Sequence, residues 1–349
     1  MKNKQMYGAS CLCGCKEGIW FVHNEITVLL FYSFEEEKVS FYRRIPCDNI
    51  ISSIAFSACV YTDGYIWLFS NNQNKSFVYD INKDNFITLE IENSCCNSFR
   101  GAVLYGKEIL VIPYKYDRLI KISTADFTVN YLDRWKSLFE GCSDDYINSF
   151  SYDGKNRVAM SVPGHNDFLV YDLKTSKLSK IKTYDKDADY TQIGIFEDMF
   201  IAFDRKTKKV ESINLDGNIL NNILVEYSST KLTTIGNNII LDVLGSDDIY
   251  IFSKDLKCKN EYKLTNNKNN FETDMSIILD WFKCENNAYY GVGNSNDLIC
   301  IDELAQFTTK TLEMDDSLFE TFTEDIIRNN TEILLENEMI GLEQFINCL

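Results

Sequence analysis

Proline and histidine are almost missing from this chain. Only 3 Pro and 2 His occur among its 349 residues. So few prolines, together with 23 Phe and 20 Tyr, favour strands over helices. The two histidines, His23 and His165, leave most acid–base and zinc-hydrolase schemes without the imidazoles that they need. The sequence therefore predicts no catalytic residue, no metal site and no cofactor.

The chain also lacks a surplus of positive charge and a long hydrophobic run. Its net charge is -17, and an acidic surface repels the phosphates of nucleic acids and anionic lipids. No run approaches the roughly 18 apolar residues of a membrane span. Nucleic acid and membranes are therefore not expected partners. Two lysine clusters are interpreted as solvated strand edges and hairpin tips: Lys174, Lys177, Lys180 and Lys182, then Lys206, Lys208 and Lys209.

Cysteine is abundant, with 12 residues. The opening stretch MKNKQMYGAS lacks the apolar region of a secretory signal, so we expect a cytoplasmic protein with reduced thiols. Cys11, Cys13 and Cys15 form a C-x-C-x-C pattern. On a strand, Cys11 and Cys15 would lie about 13 Å apart, too far to share one zinc ion. The pattern therefore predicts an inner strand with small side chains; a redox or metal role would require a loop.

Internal repeats dominate the rest of the sequence. A unit of about 40 to 50 residues recurs, which is the range of propeller blades. Copies begin near positions 54, 99, 147, 190, 230 and 277, and the N-terminal stretch supplies a seventh. Each copy contains four short apolar or aromatic runs bounded by Gly, Asn, Asp or Lys. The pattern predicts an all-β protein, a β-propeller of about seven four-stranded blades; the alternatives are a β-sandwich and a solenoid. The first and last units both look complete, so no shared strand is expected to close the ring.

The repeats resemble those of kelch-type propellers. The residues that carry the resemblance are Gly64-Tyr65-Ile66-Trp67 with Phe77-Val78-Tyr79-Asp80, Ile112-Pro113 before Leu119-Ile120, and Val162-Pro163 before Val170-Tyr171-Asp172. The Gly-Gly doublet that is diagnostic of the family is missing from every unit. The resemblance implies a binding scaffold, because kelch-like propellers are mostly interaction modules and only sometimes enzymes.

The last 35 residues have a different pattern. From position 315 to 349, apolar residues recur at helical spacing. We therefore divide the chain into a propeller, residues 1–314, and a short C-terminal helical tail, residues 315–349. The tail is expected to pack on the propeller or to dock a partner. Self-assembly through it is a further alternative, and the oligomeric state stays open.

The candidate binding residues come from propeller geometry. Loops at the start of each innermost strand and between the two middle strands meet on one face, around a funnel at the axis. The candidate ligand-binding residues there are Arg100, Ser149, His165, Gln192 and Trp281, with Ser57 and Tyr116 as further members. Arg100 could pair with a carboxylate or phosphate, or form a salt bridge between blades.

Two functions follow from these observations. The first is a non-catalytic, cytoplasmic scaffold that binds a protein or peptide partner. The alternative is an enzyme or small-molecule binder that takes a sugar or a carboxylate in the axial funnel. The sequence contains no catalytic motif that would decide between these two functions.

Overall fold

The structure is a computed structural model of the whole chain. It describes residues 9–23, 27–47, 55–71, 73, 75–92, 98–139, 146–225, 230–243, 248–263, 282–284, 287–291, 297–314, 317–318 and 321. These residues form 28 strands and one short 3-10 helix, Trp135–Leu138. Among them, no helix is long and apolar enough to cross a membrane.

The strands form seven four-stranded antiparallel sheets, and each sheet is a meander of consecutive strands. Blades 1 to 3 contain β1 (Ala9–Cys15), β2 (Gly18–His23), β3 (Val28–Ser33), β4 (Lys38–Arg44), β5 (Phe56–Thr62), β6 (Tyr65–Ser70), β7 (Ser76–Asp80), β8 (Asn85–Leu89), β9 (Phe99–Tyr105), β10 (Glu108–Pro113), β11 (Arg118–Ser123) and β12 (Val129–Arg134). Blades 4 and 5 contain β13 (Ser149–Tyr152), β14 (Arg157–Ser161), β15 (Phe168–Asp172), β16 (Lys177–Ile181), β17 (Tyr190–Ile195), β18 (Met199–Asp204), β19 (Lys209–Asn214) and β20 (Ile219–Leu224). Blades 6 and 7 contain β21 (Thr230–Ile235), β22 (Asn238–Val243), β23 (Asp248–Ser253), β24 (Cys258–Lys263), β25 (Phe282–Cys284), β26 (Asn287–Gly291), β27 (Asp297–Asp302) and β28 (Phe307–Thr311). The predicted all-β propeller with seven blades is confirmed.

The hydrophobicity of each strand matches its place in the blade. The second strands read as nearly continuous apolar runs, such as YIWLFS in β6 and EILVIP in β10, and they are buried along their length. A strand that is buried on both faces needs apolar side chains on both faces. The outermost strands are more polar and less buried, as in KLSKI of β16, where every residue is exposed or partly exposed. The order of the four runs within a repeat therefore sets which strand lies at the axis and which at the rim.

Every blade turns from its third to its fourth strand in the same way. The last residue of the third strand is always Ser, Asp or Asn, and its side chain accepts a backbone N–H from the turn; these residues are Ser33, Asp80, Ser123, Asp172, Asn214, Ser253 and Asp302. A residue with positive φ then completes each turn: Glu37, Asp84, Phe127, Ser176, Gly217, Leu256 and Ala305. The polar residue at the strand end thus organises the hairpin in all seven blades.

The hydrophobic core consists of seven clusters, one between each pair of neighbouring blades. Trp67 and Phe69 of blade 2, for example, pack with Ile109 and Val111 of blade 3. The seventh cluster joins the first and last blades, since it contains Phe21 of blade 1 together with Leu298 of blade 7. Because each blade buries its two faces against its neighbours, the ring is stable only when it is closed.

The ring closes through the segment that follows β28. The backbone N–H of Val39 in β4 donates to the Glu313 carbonyl (2.7 Å), and Val39 and Met314 form a parallel bridge. Leu312 and Met314 are buried in the cluster between blades 7 and 1. The first and last blades each have their own four strands, as expected, but one residue past β28 continues the hydrogen bonding into blade 1.

Between blades 4 and 5, the segment that follows the fourth strand of one blade likewise reaches the next blade. After β16, the carbonyl oxygen of Lys182 lies only 2.0 Å from the point where a Cβ on Gly217 would stand. The connection that leaves blade 4 therefore passes directly over the last turn of blade 5. The path past β28 is thus a regular blade-to-blade connection that ends on blade 1.

The predicted helical tail lies mostly outside the described residues. Residues 317–318 and 321 are helical, and Leu318 packs against the cluster between blades 7 and 1. The division at residue 314 and the two roles weighed for the tail stay predictions.

Candidate functional site

The five candidate residues of the axial funnel occupy different parts of the blades. Arg100 is the second residue of β9 and Ser149 is the first of β13, at the starts of two innermost strands. Gln192 lies in the inner strand β17, and His165 lies in the connection from β14 to β15. Trp281 lies outside the described residues.

Arg100 and Ser149 form hydrogen bonds between blades. Arg100 Nε donates to the backbone carbonyl of Asn148 (2.6 Å), which joins blade 3 to blade 4. The N–H of Ile193 in blade 5 donates to Ser149 Oγ in blade 4 (3.3 Å). Ser57 does the same between blades 2 and 3, since its Oγ donates to the Phe99 carbonyl (2.6 Å). Side chains predicted to bind a ligand therefore connect neighbouring inner strands.

Asn148 and Ser151 extend this set of contacts. Asn148 Nδ2 donates to the Thr191 carbonyl (2.7 Å), so one residue accepts from blade 3 and donates to blade 5. The Ile195 N–H donates to Ser151 Oγ (3.3 Å). In the sequence, only their position at the start of a repeat marks these two residues. Polar side chains on inner strands thus fix the blades relative to each other.

Gln192 is as deeply enclosed by the fold as Ser149. Its side chain is 3% exposed, and among the described residues no group hydrogen-bonds its buried Oε1 atom. The preceding carbonyl, that of Thr191, accepts from both Asn148 and Ser161 Oγ (2.9 Å). Gln192 and Ser149 lie on the neighbouring inner strands β17 and β13. The Ser149 hydroxyl accepts a hydrogen bond from Ile193, whereas the Oε1 atom of Gln192 has no hydrogen-bond partner among the described residues.

His165 packs in an aromatic and charged neighbourhood on blade 4. Its ring centroid lies 4.4 Å from that of Phe139. Lys180 Nζ lies 5.1 Å from the centroid of the same phenylalanine and 3.2 Å from Asp167 Oδ2. The His165 carbonyl also accepts the N–H of Tyr190, the first residue of the inner strand β17 (3.3 Å), so His165 lies where blades 4 and 5 meet.

His23 is buried at the end of β2, and burial lowers its pKa from 6.5 to about 4. The unfolded chain therefore binds a proton near pH 6.5 that the folded chain takes up only near pH 4. Stability that is present above pH 6.5 should be lost as the pH falls through this window. A shift of this size corresponds to about 3 kcal/mol of unfolding free energy.

Urea unfolding curves at pH 7 and pH 4.5 test this prediction. The wild-type protein should lose more stability between the two values than the variant His23→Gln, which has no proton to gain. Equal losses in both proteins would show that His23 does not carry the effect.

A buried acidic network lies in blade 5. Tyr190 OH donates to Glu211 Oε2 (2.7 Å), and both side chains are buried. Burial raises the pKa of Glu211, and the nearby charge of Asp204 raises it further, against the hydrogen bond from Tyr190. Beside them, Asp189 forms an ion pair with Arg205 (2.6 Å). Nothing in the sequence marks Glu211, because its neighbours in KVESIN alternate as in an ordinary strand.

Metal binding was not expected from the sequence. Within the described ranges, no group of three or more His, Cys, Asp or Glu side chains could hold a metal ion. The carboxylates of the acidic network instead pair with Tyr190, with Arg205 and with backbone N–H groups, such as that of Gly164 on Asp189 (2.6 Å).

Among the described residues, the outer edge of blade 5 exposes more large apolar side chains than any other rim. Its fourth strand, β20, reads ILNNIL and contains no charged residue. Leu220 is 56% exposed and Leu224 is 71% exposed, and the adjacent turn exposes Leu215. Tyr184 is also exposed, in the connection that crosses Gly217 of the same turn. We call these four residues (Tyr184, Leu215, Leu220 and Leu224) the blade 5 rim.

Charges protect the rims of other blades. Arg43 of β4 forms a bidentate ion pair with Asp84 at 2.6 and 2.7 Å, and β16 carries Lys177 and Lys180. Lysine and other charges at a sheet edge oppose pairing with another chain. β20 carries no charge, and the register of its pairing with β19 shifts at Leu220. β8 of blade 2 is also uncharged, but its apolar side chains are at most partly exposed. The exposed leucines therefore make β20 the candidate interaction site of this molecule.

Comparison with solved structures supports the propeller fold. The chain is similar to a streptogramin B lyase with 14% identity and a TM-score of 0.61, over 84% of this chain and 93% of the other. It is similar to BamB of Moraxella catarrhalis with 11% identity and a TM-score of 0.55, over 87% and 85%. Hsv2 of Kluyveromyces lactis gives 9% identity and a TM-score of 0.54, over 88% and 98%. Similarity at such low identity shows the fold alone, and these neighbours are β-propeller proteins.

No family model matches the sequence, and a search of curated proteins finds no significant match. The resemblance to kelch repeats therefore stays a prediction, while the propeller itself is established.

Proposed function

We propose that this chain is a non-catalytic, cytoplasmic interaction scaffold that binds an extended segment of a partner protein along strand β20. The observation that carries the proposal is the blade 5 rim. Three of its exposed apolar side chains, Leu215, Leu220 and Leu224, lie on or next to one uncharged edge strand. Exposed apolar patches on soluble proteins commonly mark interaction sites.

The backbone of β20 offers the second part of such a site. β20 pairs with β19 on one side only and is the last strand of its sheet. On this strand, the N–H of Asn222 donates to the side-chain Oδ1 of Asn221 (2.9 Å), an interaction within the strand itself. A peptide that adds a strand can replace such a local bond by a ladder bond and place apolar side chains beside Leu220 and Leu224.

Charge constrains the partner. The net charge of -17 favours encounter with a neutral or basic protein over an acidic one. The docking segment would carry apolar side chains at alternate positions, because only alternate residues of a strand share a face. Seven of the described cysteines are unbridged, which supports a reducing compartment such as the cytoplasm.

The alternative is an enzyme or a binder of a sugar or carboxylate in the axial funnel. It rests on Gln192, whose buried Oε1 has no hydrogen-bond partner in the described part of the chain. Against it, Arg100 and Ser149 are engaged in contacts between blades. If the funnel binds such a ligand, a panel of sugars and carboxylates should raise the melting temperature of the wild-type protein but not of Gln192→Ala.

Affinity capture from the native host tests the scaffold proposal. A tagged wild-type protein is compared with the double variant Leu220→Lys/Leu224→Lys, which places charges on the edge. The partner identified with the wild type should bind the double variant at least about tenfold more weakly, as expected when central apolar contacts are replaced.

The matched control is Leu304→Lys on blade 7, where Leu304 is 78% exposed in a turn. This variant adds a charge at an exposed leucine outside blade 5 and should bind as the wild type does. Unchanged binding of the double variant, or equal losses in the double variant and the control, would contradict the proposal.

A further inference from the structure

Two cysteines from neighbouring blades face each other near the axis. Cys13 lies in the inner strand β1 of blade 1, and Cys59 lies in the inner strand β5 of blade 2. Their Sγ atoms are 2.8 Å apart. The residues are 7% and 9% exposed, so neither is fully enclosed. The C-x-C-x-C segment is a strand, as predicted, but the contact that matters crosses to the next blade.

We propose that Cys13 and Cys59 are a modification site, a dithiol pair that oxidises reversibly to a disulfide between the inner strands of blades 1 and 2. A disulfide bond is about 2.05 Å long, so the two sulfurs need to approach by less than about 1 Å. On the sequence alone, a redox role required the C-x-C-x-C segment to be a loop. The structure removes that requirement, because the partner thiol comes from another strand.

The oxidant is a peroxide. One sulfur, as the thiolate, attacks a peroxide oxygen; an S–O bond forms, the O–O bond breaks, and water leaves after protonation. The second sulfur then attacks the resulting sulfenic acid, forms the S–S bond and breaks the S–O bond, and its proton leaves with the hydroxide as a second water. Two thiols and one hydrogen peroxide thus give one disulfide and two waters. A dithiol such as dithiothreitol reverses the reaction by thiol–disulfide exchange.

The neighbouring cysteines are less suited to this reaction. Cys11 is fully buried and also contacts Cys59, and burial raises the pKa of its thiol well above the usual range. It therefore stays protonated and shielded from an oxidant in solution. Cys15, at the other end of β1, is half-buried, and burial raises its pKa as well. Cys13 and Cys59 are the pair whose sulfurs are in contact and whose residues both keep some exposed surface.

The expected product is defined by peptide mapping. Native protein is treated with hydrogen peroxide, remaining thiols are blocked with iodoacetamide, and the protein is digested with trypsin without reduction. The mass of the oxidised protein, before the alkylation step, should be lower than that of the reduced protein by two hydrogen atoms. In the digest, the tryptic peptide 5–16, which contains Cys13, should be linked to the peptide 45–75, which contains Cys59. Fragmentation should place the link at Cys13 and Cys59, and dithiothreitol should remove it. Because the link restricts the unfolded chain, the oxidised protein should melt roughly 5 °C higher than the reduced one.

Variants and a denatured control complete the experiment. Cys13→Ser and Cys59→Ser should abolish the link, whereas Cys11→Ser and Cys258→Ser, the latter at an exposed cysteine, should keep it. Protein oxidised in urea should give mixed pairings instead of this one. The proposal is overturned if Cys13 and Cys59 of the native wild type remain alkylated after peroxide. It is also overturned if they become sulfinic acids without a link, or if the link survives in Cys59→Ser.

Discussion

Leu312→Ala and Met314→Ala should each lower the free energy of unfolding by roughly 2–4 kcal/mol, the usual loss for truncating a buried Leu or Met. Both side chains are buried between blades 7 and 1, directly beside the bridge from Met314 to Val39. A propeller has few ways to compensate, because every blade depends on both neighbours. The loss should therefore appear in cooperative unfolding of the whole ring, measured by urea titration with circular dichroism.

The control for this prediction is Leu304→Ala. Leu304 lies in the last turn of blade 7 and is exposed, so its truncation should change stability by no more than about 0.5 kcal/mol. If Leu312→Ala and Met314→Ala unfold at the same urea concentration as the wild type, the segment after β28 does not close the ring.

Gly217→Ala should be among the most damaging single-methyl changes in the protein. Gly217 has φ +87, a conformation that costs an L-residue roughly 1–2 kcal/mol. In addition, the new Cβ would stand 2.0 Å from the backbone oxygen of Lys182, where the connection from blade 4 crosses the turn. Backbone cannot rotate away as a side chain can, so we expect a total loss of about 3 kcal/mol or more.

Gly106→Ala separates the two contributions. Gly106 has φ +61, but no atom lies within 4 Å of the position that its Cβ would take. This variant should show only the cost of the positive φ. Equal stability of the two variants, measured by the same urea titration, would mean that the crossing at Gly217 adds no strain.

The fold could be predicted from the sequence because each blade repeats the same local chemistry. The sequence itself shows the four apolar runs of each unit. It also shows the Ser, Asp or Asn that ends each third strand, as in Tyr79-Asp80 and Tyr171-Asp172. The positive-φ residue three or four positions later is not visible. Phe127, Leu256 and Ala305 adopt it although their side chains disfavour it, because the preceding cap and the two strands fix the turn.

The site was predicted less well, and the reason is physical. Position at the start of an inner strand identified Arg100 and Ser149 as polar residues near the axis. What each side chain meets depends on the neighbouring blade, namely the Asn148 carbonyl for Arg100 and the Ile193 N–H for Ser149. A single repeat contains no information on that neighbour, so residues that hold blades together and residues that hold a ligand look alike.

The blade 5 rim could have been found earlier. ILNNIL of β20 is an uncharged run at the position of an outer strand, where the corresponding β16 carries two lysines. The exposure of Leu220 and Leu224, in contrast, depends on how the blades twist and could not be predicted from the amino-acid sequence. The contact between Cys13 and Cys59 likewise required the arrangement of blades 1 and 2.

Amide hydrogen exchange with and without the captured partner distinguishes the blade 5 rim from the axial funnel as the binding site. Binding should slow exchange in residues 219–224, with little change at the starts of β9 and β17 near Arg100 and Gln192. Slower exchange at those inner strands, with β20 unaffected, would place the partner at the axis and contradict the assignment of the rim as the binding site.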